Sequence, residues 1–587
     1  MAPGQYTMYS FTELKKNLKK DYNSFRKVRL AILGDTSTQI LAQALKGYAF
    51  HYQIHLDIYE ADFNQIERQV FDASSDLYAF KPEITIVFNA VEKLLYKFNK
   101  CNPQGKMHFA EGHLQGISAM YEVLEEQLGC KVIYYNFCEI DNAVFGNYAN
   151  KTTSSFIYQL RKINLELMRL AQYAGNFYVC DLCTLQNRIG RNNVFAANIY
   201  INTDMVFSLD FIPHVAKSTL DIITALQGKA HKCLILDLDN TLWGGVIGDD
   251  GIENVHIGNL GIGKAFTEFQ LWLKALKERG IILAVCSKNT ESVAKEVFQS
   301  HPDMVLRLHD IAVFVANWEN KVDNIRYIQS VLNIGYDSMV FVDDNPFERN
   351  MVRNNIPDIT VPEMPEDPAD YLSFLYSQNL FETASFSVED ENRTTYYQTE
   401  SKRVSAQKAH TDEGAFLESL DMTSDVQHFN KFNTPRVAQL SQRSNQFNLR
   451  TIRYTEADIE RMGADNSFYT FTFTLEDKFG DNGLICVVIL KKEDSTTLFI
   501  DSWFMSCRVL KRSMEEFVLN TIVSFAAENG FRSLKGEYIA TAKNELVKDH
   551  YKNLGFQQKE GFWILAIDSY NAKGSYIKNK NVPVNNG

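Results

Sequence analysis

Over the first 225 or so residues, short apolar runs alternate with stretches of helical period. Apolar runs near 28–33, 53–59, 84–88, 131–135 and 177–180 predict strands of a mainly parallel sheet covered on both faces. Amphipathic segments fill the gaps, notably 154–173, and Ser10 with Glu13 makes an S-x-x-E start for an early helix. The rhythm restarts at HKCLILDLDNT and runs to about Pro362. There it predicts a strand, a helix over 264–279, the strand IILAVCS, a helix from Glu291, a strand, a helix from Val322, the strand MVFVDD, a helix and a closing strand DITVP. The acidic, proline-containing EMPEDPAD ends this unit, and a charged helical connector follows. Beyond it come longer alternating strands, FYTFTFTLEDKFGDNGLICVVILKK and TTLFIDSWFMS, then a long helix, a strand, a short helix and a last strand. NAKGSYIKNKNVPVNNG reads as a frayed tail.

This pattern divides the chain into an α/β domain over 1–225, a second α/β unit over 226–365, a helical connector over 366–421 and an α+β domain over 422–587. A length of 587 residues is too great for one core, and 45% hydrophobic with 22% charged residues is a globular composition. Lys plus Arg number 60 against 72 Asp plus Glu, a formal charge of -12. That balance argues against nucleic acid or a membrane surface as a partner, so an anionic substrate needs a local site. Nine scattered cysteines indicate a reducing compartment, and with no apolar stretch of signal or membrane-span length the expected location is cytoplasmic.

The sharpest chemical signal is LILDLDNTLWGG. Its apolar run ends in Asp237 and Asp239, and the strand period of two turns both carboxylates to one side at the strand's carboxyl end. Two acids there either cap a turn or hold an oxygen-loving cation such as Mg²⁺. The other apolar strands also end in polar groups: Ser287 in AVCSKN, and Asp343 with Asp344 in MVFVDDNP, while Lys321 opens a helix in NWENKVDNI. Four segments thus deliver carboxylates, a hydroxyl and an ammonium to one sheet edge, an inventory suited to phosphoryl transfer.

The order DxDxT, Ser, Lys and acidic pair resembles the haloacid-dehalogenase (HAD)-like phosphohydrolases, whose central sheet is Rossmann-like and parallel. The resemblance implies Asp237 as nucleophile, Asp239 as general acid and base, and Thr241 bracing the loop. It implies Ser287 and Lys321 on the phosphoryl oxygens, with Asn240, Lys288 and Asn289 beside them as substrate-binding residues. It implies Mg²⁺ on Asp237, the main-chain carbonyl of Asp239, and the Asp343/Asp344 pair, with Asp344 the closer ligand and Asp343 orienting Lys321. Only TLWGGVIGDDGIENVHIGNLGIG separates Asp239 from the next helix, enough for a hairpin flap and too short for a large cap. An open site suits a phosphate on a bulky carrier.

The longer string LDLDNTLWGGVIGDDG, with SKN, NWENK and FVDDNPFER, resembles the FkbH-like proteins. This implies an SGNH-hydrolase-like first domain and a GNAT-like last one. As substrate it implies a phosphorylated small molecule or a phosphoglyceryl unit, with an acyl carrier protein as candidate partner and coenzyme A as candidate ligand. The activity expected is a phosphatase, with glyceryl or acyl transfer to a carrier, or a non-catalytic phosphate-binding scaffold, as alternatives. Thioester chemistry needs a thiol, and the site offers only Cys233 and Cys286, both in apolar strands. In the first domain Asp35, Thr36 and Ser37 stand where an SGNH serine would sit, but Asp210 and His214 are spaced by four and no dyad is evident, so binding or docking is the expected role. Cys180 and Cys183 form a lone CxxC, expected to be a buried strand end. In the last domain Asn445, Asn448 and Tyr551 are candidates, and the loop carrying Arg508, Lys511, Arg512 and Ser513 lacks the small residues of a pyrophosphate loop.

Overall fold

A computed structural model describes residues 8–386, 393–407, 412–541 and 543–580. The chain divides into two compact units at the Thr224/Ala225 junction. In the first, β1 (Arg26–Gly34), β2 (Ile54–Glu60), β3 (Ile84–Phe88), β4 (Lys131–Tyr135) and β5 (Phe177–Cys180) form a parallel sheet of order β2-β1-β3-β4-β5. The expected strands all form, within two residues of their predicted ends. Strand β2 starts at Ile54 rather than Gln53 because Gln53 closes the preceding helix in the left-handed region, φ 54°. Ser10 and Glu13 make the reciprocal capping box that opens the helix Phe11–Asn17. Residues 30–34 of β1 and all of β3 are buried on both faces, which explains why those stretches are almost wholly apolar.

The second unit holds two sheets. β6 (Cys233–Leu236), β7 (Ile282–Ser287), β8 (Ile311–Ala316) and β9 (Met339–Val342) form a parallel sheet of order β8-β7-β6-β9. Its two faces carry separate apolar clusters, one around Leu236, Trp243 and Phe298 and the other around Ile235, Ile325 and Phe341. Each fully buried aliphatic side chain there contributes ~1.5–3 kcal/mol. The chain reverses its order of addition at β6, so a crevice opens at the carboxyl ends of β6 and β9. The closing strand expected at DITVP is reduced to a single bridge, Thr360 with Val340, because Pro362 removes the next donor.

The other sheet is mixed. β10 (Met422–Ser424), β11 (Val426–Gln427), β12 (Phe468–Asp477), β13 (Gly480–Lys492), β14 (Thr497–Met505), β15 (Ser533–Gly536), β16 (Gln557–Lys559), β17 (Phe562–Ala566) and β18 (Ile577–Asn579) run in the order β16-β17-β15-β14-β13-β12-β10-β18, with β11 on β12. Most pairs are antiparallel, as the alternating pattern predicts, but β14/β15 and β10/β18 are parallel. Strand β18 corrects the expectation of a frayed tail: Ile577 is buried against β10, while residues 581–587 lie outside the described residues.

Of the expected connector, 387–392 and 408–411 lie outside the described residues. Its helix Arg393–Gln407 braces the unit: Gln398 donates to the carbonyl of Ile311 at 3.0 Å, and Tyr397 is buried in the parallel-sheet core. At the other end Arg403 pairs bidentately with Asp477 at 2.7 and 2.9 Å. No described helix is long and apolar enough to cross a membrane.

A candidate metal and phosphoryl site

Asp237 follows β6 directly, and its N–H donates to the carbonyl of Val342 at 3.0 Å, so the β6/β9 pairing carries its carboxylate to the crevice. Asp343 and Asp344 follow β9 in the same way. Lys321 is the first residue of the helix Lys321–Leu332, whose Asn320 cap accepts from the N–H of Asp323 at 2.8 Å. That cap sets where the helix starts and therefore where the ammonium stands. Its Nζ lies 2.9 Å from Asp237 Oδ2 and 2.5 Å from Asp343 Oδ2. Carboxylate oxygens of Asp237, Asp343 and Asp344 all lie within 4.8 Å of one another.

Burial works against the charge of Lys321, but Asp237 and Asp343 outweigh it and hold its pKa above the ordinary lysine value. Burial, then the neighbouring Asp237, pushes Asp343 up to about 7 and raises Asp344 as well. When all three acids are ionised, three negative charges and one ammonium leave two uncompensated. Asp237 Oδ1 is buried without a partner in the structure. An orphaned carboxylate oxygen beside two further carboxylates is a set of hard donors with the charge to match one divalent ion, so these residues fit Mg²⁺.

The remaining expected residues surround this centre. Thr241, fully buried, accepts from the N–H of Asp344 at 3.2 Å and ties the β6 loop to the β9 loop. Ser287 is buried at the end of β7, its carbonyl accepting from the N–H of Asn317 at 3.2 Å. Asn240 has a left-handed backbone, φ 55°, and its side chain accepts from the N–H of Gly245 at 2.9 Å. Lys288 pairs with Glu348 at 2.6 Å. Asp239 is not in the carboxylate cluster by its side chain. Its Oδ1 accepts from Trp243 Nε1 at 2.9 Å and the N–H of Ile247 at 3.2 Å, and its Oδ2 from Asn289 Nδ2 at 2.9 Å. Burial nonetheless holds its pKa above the ordinary carboxylate value.

Two contributors went unassigned in the sequence. Arg349 donates to the carbonyls of Asp343 and Asp344 at 2.9 and 2.6 Å, locking the acidic pair. Trp243 is fully buried against Phe298 and roots the flap, which holds one helical turn, Ile247–Asp250. Both residues stand inside motif strings already quoted, but nothing in their spacing says what they touch.

Elsewhere the candidates are dispersed into structural roles. The Thr36 hydroxyl donates to the carbonyl of Asp204, Asp35 accepts from Asn89 and from the N–H of Ala90, and Asp210 is exposed. Burial lowers the pKa of His214. Cys180 is buried at the end of β5, its Sγ 3.5 Å from Ser218 Oγ, and Cys183 is half-buried. Burial pushes the thiols of Cys233 and Cys286 well up, so neither is poised as a thiolate. Asn445 accepts from Arg453 at 2.5 Å, Asn448 is buried opposite Phe504, and Arg512 pairs with Glu400 at 2.5 Å. Tyr551 is buried with its hydroxyl unpartnered in the structure. Lys511 and Ser513 have left-handed backbones, φ 62° and 55°, and the Arg508 side chain lies outside the described residues.

Residues 29–224 match the family described as FkbH, N-terminal domain. Among solved structures, the chain is similar to the N-terminal part of a Bacteroides fragilis protein containing a phosphatase domain, crystallised with Mg. Identity is 55%, covering 64% of this chain and 100% of that one, with a TM-score of 0.63. The Escherichia coli ribosomal-protein-S18-alanine N-acetyltransferase (12% identity, 25% of this chain, 97% of that one) and Ard1 from Thermoplasma volcanium (16%, 24% and 97%) each have a TM-score of 0.20, too low to carry an argument. No curated protein matches the chain.

Proposed function

The chain belongs to the family of that Bacteroides fragilis phosphatase-domain protein, and on that footing we propose that its central parallel sheet is a Mg²⁺-dependent phosphohydrolase acting through Asp237. The observation that carries this reading is the Asp237 carboxylate itself, one oxygen on Lys321 and the other buried without a partner beside Asp343 and Asp344. A bound Mg²⁺ would offset the repulsion between an anionic nucleophile and an anionic phosphate. Asp237 attacks phosphorus, and as the bond to the leaving oxygen breaks its electron pair goes to that oxygen, which takes a proton from Asp239. Asp239 then takes a proton from water as the water oxygen attacks the aspartyl-phosphate and the Asp237–phosphorus bond breaks. Lys321 and Ser287 hold the phosphoryl oxygens.

The substrate class is a small or carrier-tethered phosphoester, phosphoglyceryl by resemblance, because a flap of one helical turn leaves the site open. The first domain, SGNH-like by resemblance, would serve binding or docking, and the last, GNAT-like by resemblance, acyl transfer or docking of a carrier protein. Transfer onto a thiol is less favoured, since the thiols beside the site are buried and raised. Purified protein with Mg²⁺ should hydrolyse an aryl phosphate, and Asp237→Asn should abolish turnover. Turnover surviving that change removes the nucleophile, whereas phosphate-analogue binding without hydrolysis in the parent protein leaves a scaffold.

A further inference from the structure

Asn289 stands beside Ser287 in the segment expected to touch substrate, yet its side chain is turned elsewhere. It is 4% exposed, and its Nδ2 donates to Asp239 Oδ2 at 2.9 Å. The other Asp239 oxygen is held from the opposite side by the flap, through the Trp243 indole and the N–H of Ile247. The flap is itself fastened: Gly244 and His256 exchange backbone hydrogen bonds at 3.2 and 2.8 Å, and Asn240 accepts from Gly245. Asp239 is therefore clamped between two chain segments, outside the carboxylate cluster that fits the metal.

We infer that Asn289 is a positioning residue for Asp239, not a phosphoryl ligand, and that with Trp243 it makes leaving-group protonation depend on the flap. The inference rests on the phosphatase reading. Its chemical logic is that Asp239 must exist in two protonation states during one turnover: as an acid it gives its proton to the leaving oxygen, and as a carboxylate it takes one from water. The carboxylate accepts the Asn289 N–H at Oδ2, and the acid still does so through its remaining lone pair while its O–H faces the leaving oxygen. A primary amide N–H of this reach therefore holds the carboxyl in one orientation through both states. An aliphatic residue would leave a half-buried carboxyl oxygen without that partner.

The test compares two esters: an aryl phosphate, whose phenolate departs without a proton, and an alkyl phosphate, whose alkoxide needs one. In full-length Asn289→Ala with Mg²⁺, first-turnover release of phenol should stay within about threefold of the parent, while alkyl phosphate turnover falls by about 10²-fold, the scale of one acid–base contribution. Inhibition by orthovanadate, a mimic of the transferring group, should be unchanged. Trp243→Phe keeps an aromatic ring against Phe298 and removes the indole donor together with part of the buried volume, so it should give the same split in milder form even if Asn289→Ala folds poorly. Equal losses on both esters together with weaker vanadate binding would make Asn289 a phosphoryl ligand and overturn this inference alone. No loss on either ester would overturn it too. A parent protein inert toward both esters would bring down the phosphatase reading and this inference with it.

Discussion

Replacing Lys321 by Met tests the electrostatics of the site directly. The ammonium is the only cation that contacts both Asp237 and Asp343 among the described residues, at 2.9 and 2.5 Å, and its side chain is 4% exposed. At an effective dielectric of ~20 those separations correspond to gross attractions of ~6 and ~7 kcal/mol. Much of that is offset by the desolvation of the groups involved, and removing one member of such a buried set typically lowers stability by ~3–5 kcal/mol. In chelator, Lys321→Met should therefore melt about 5–10 °C below the parent protein. Magnesium should then reverse the order of response. The variant holds three carboxylates with no cation, so Mg²⁺ should raise its melting temperature more than it raises the parent's, where saturation at a hundredfold over Kd is worth ~2.7 kcal/mol. Thermal unfolding of both proteins with chelator and with Mg²⁺ measures this. Equal melting temperatures in chelator, or an equal magnesium shift in both, would refute the picture of a charge-matched metal site.

Three further outcomes follow from the packing. Arg403→Met strands the fully buried Asp477 carboxylate, with Arg512 at 3.4 Å as partial compensation, and should lower stability by ~3 kcal/mol; protease sensitivity of the helix Arg393–Gln407 reports it. His550 is buried against Phe447 and Trp503, and burial lowers its pKa to about 3. Its folded value lies below its unfolded one of 6.5, so the folded state is favoured above pH 6.5 and loses up to ~1.4 kcal/mol per pH unit as pH falls from there toward 3. His550→Phe should flatten that part of the denaturation profile. Gly47→Ala would set a methyl 2.3 Å from the carbonyl oxygen of Leu14, a backbone atom that no rotamer change can move away. It should cost about 1–3 kcal/mol. Since all five tryptophans lie beyond residue 225, hydrogen exchange rather than intrinsic fluorescence detects it.

The strands of both parallel sheets were legible because burial on two faces forces an apolar run that needs no knowledge of the neighbours. The metal-fitting acids were legible for a related reason: Asp237 and Asp343 break such a run abruptly, and an acid at the end of a buried strand has few other uses. Less was visible where pairing across the chain decides the outcome. Ile577–Asn579 lies in a polar tail and becomes a strand only because Met422–Ser424 offers an open edge. DITVP looks like a strand and contributes a single bridge.

By itself the sequence determined which residue types crowd the carboxyl edge of the central sheet, since strand period and strand end are local properties of the chain. Only the tertiary structure decided their division of labour. Asn289 and Lys288 share a segment with Ser287, yet one turns to Asp239 and the other to Glu348. Arg349 and Trp243 are drawn to the site by a carbonyl pair and a carboxylate that spacing does not reveal. The direction of a polar side chain is set by whichever partner folding brings within about 3 Å, and that partner lies fifty or sixty residues away for Asn289 and Lys288 but only four to six away for Trp243 and Arg349.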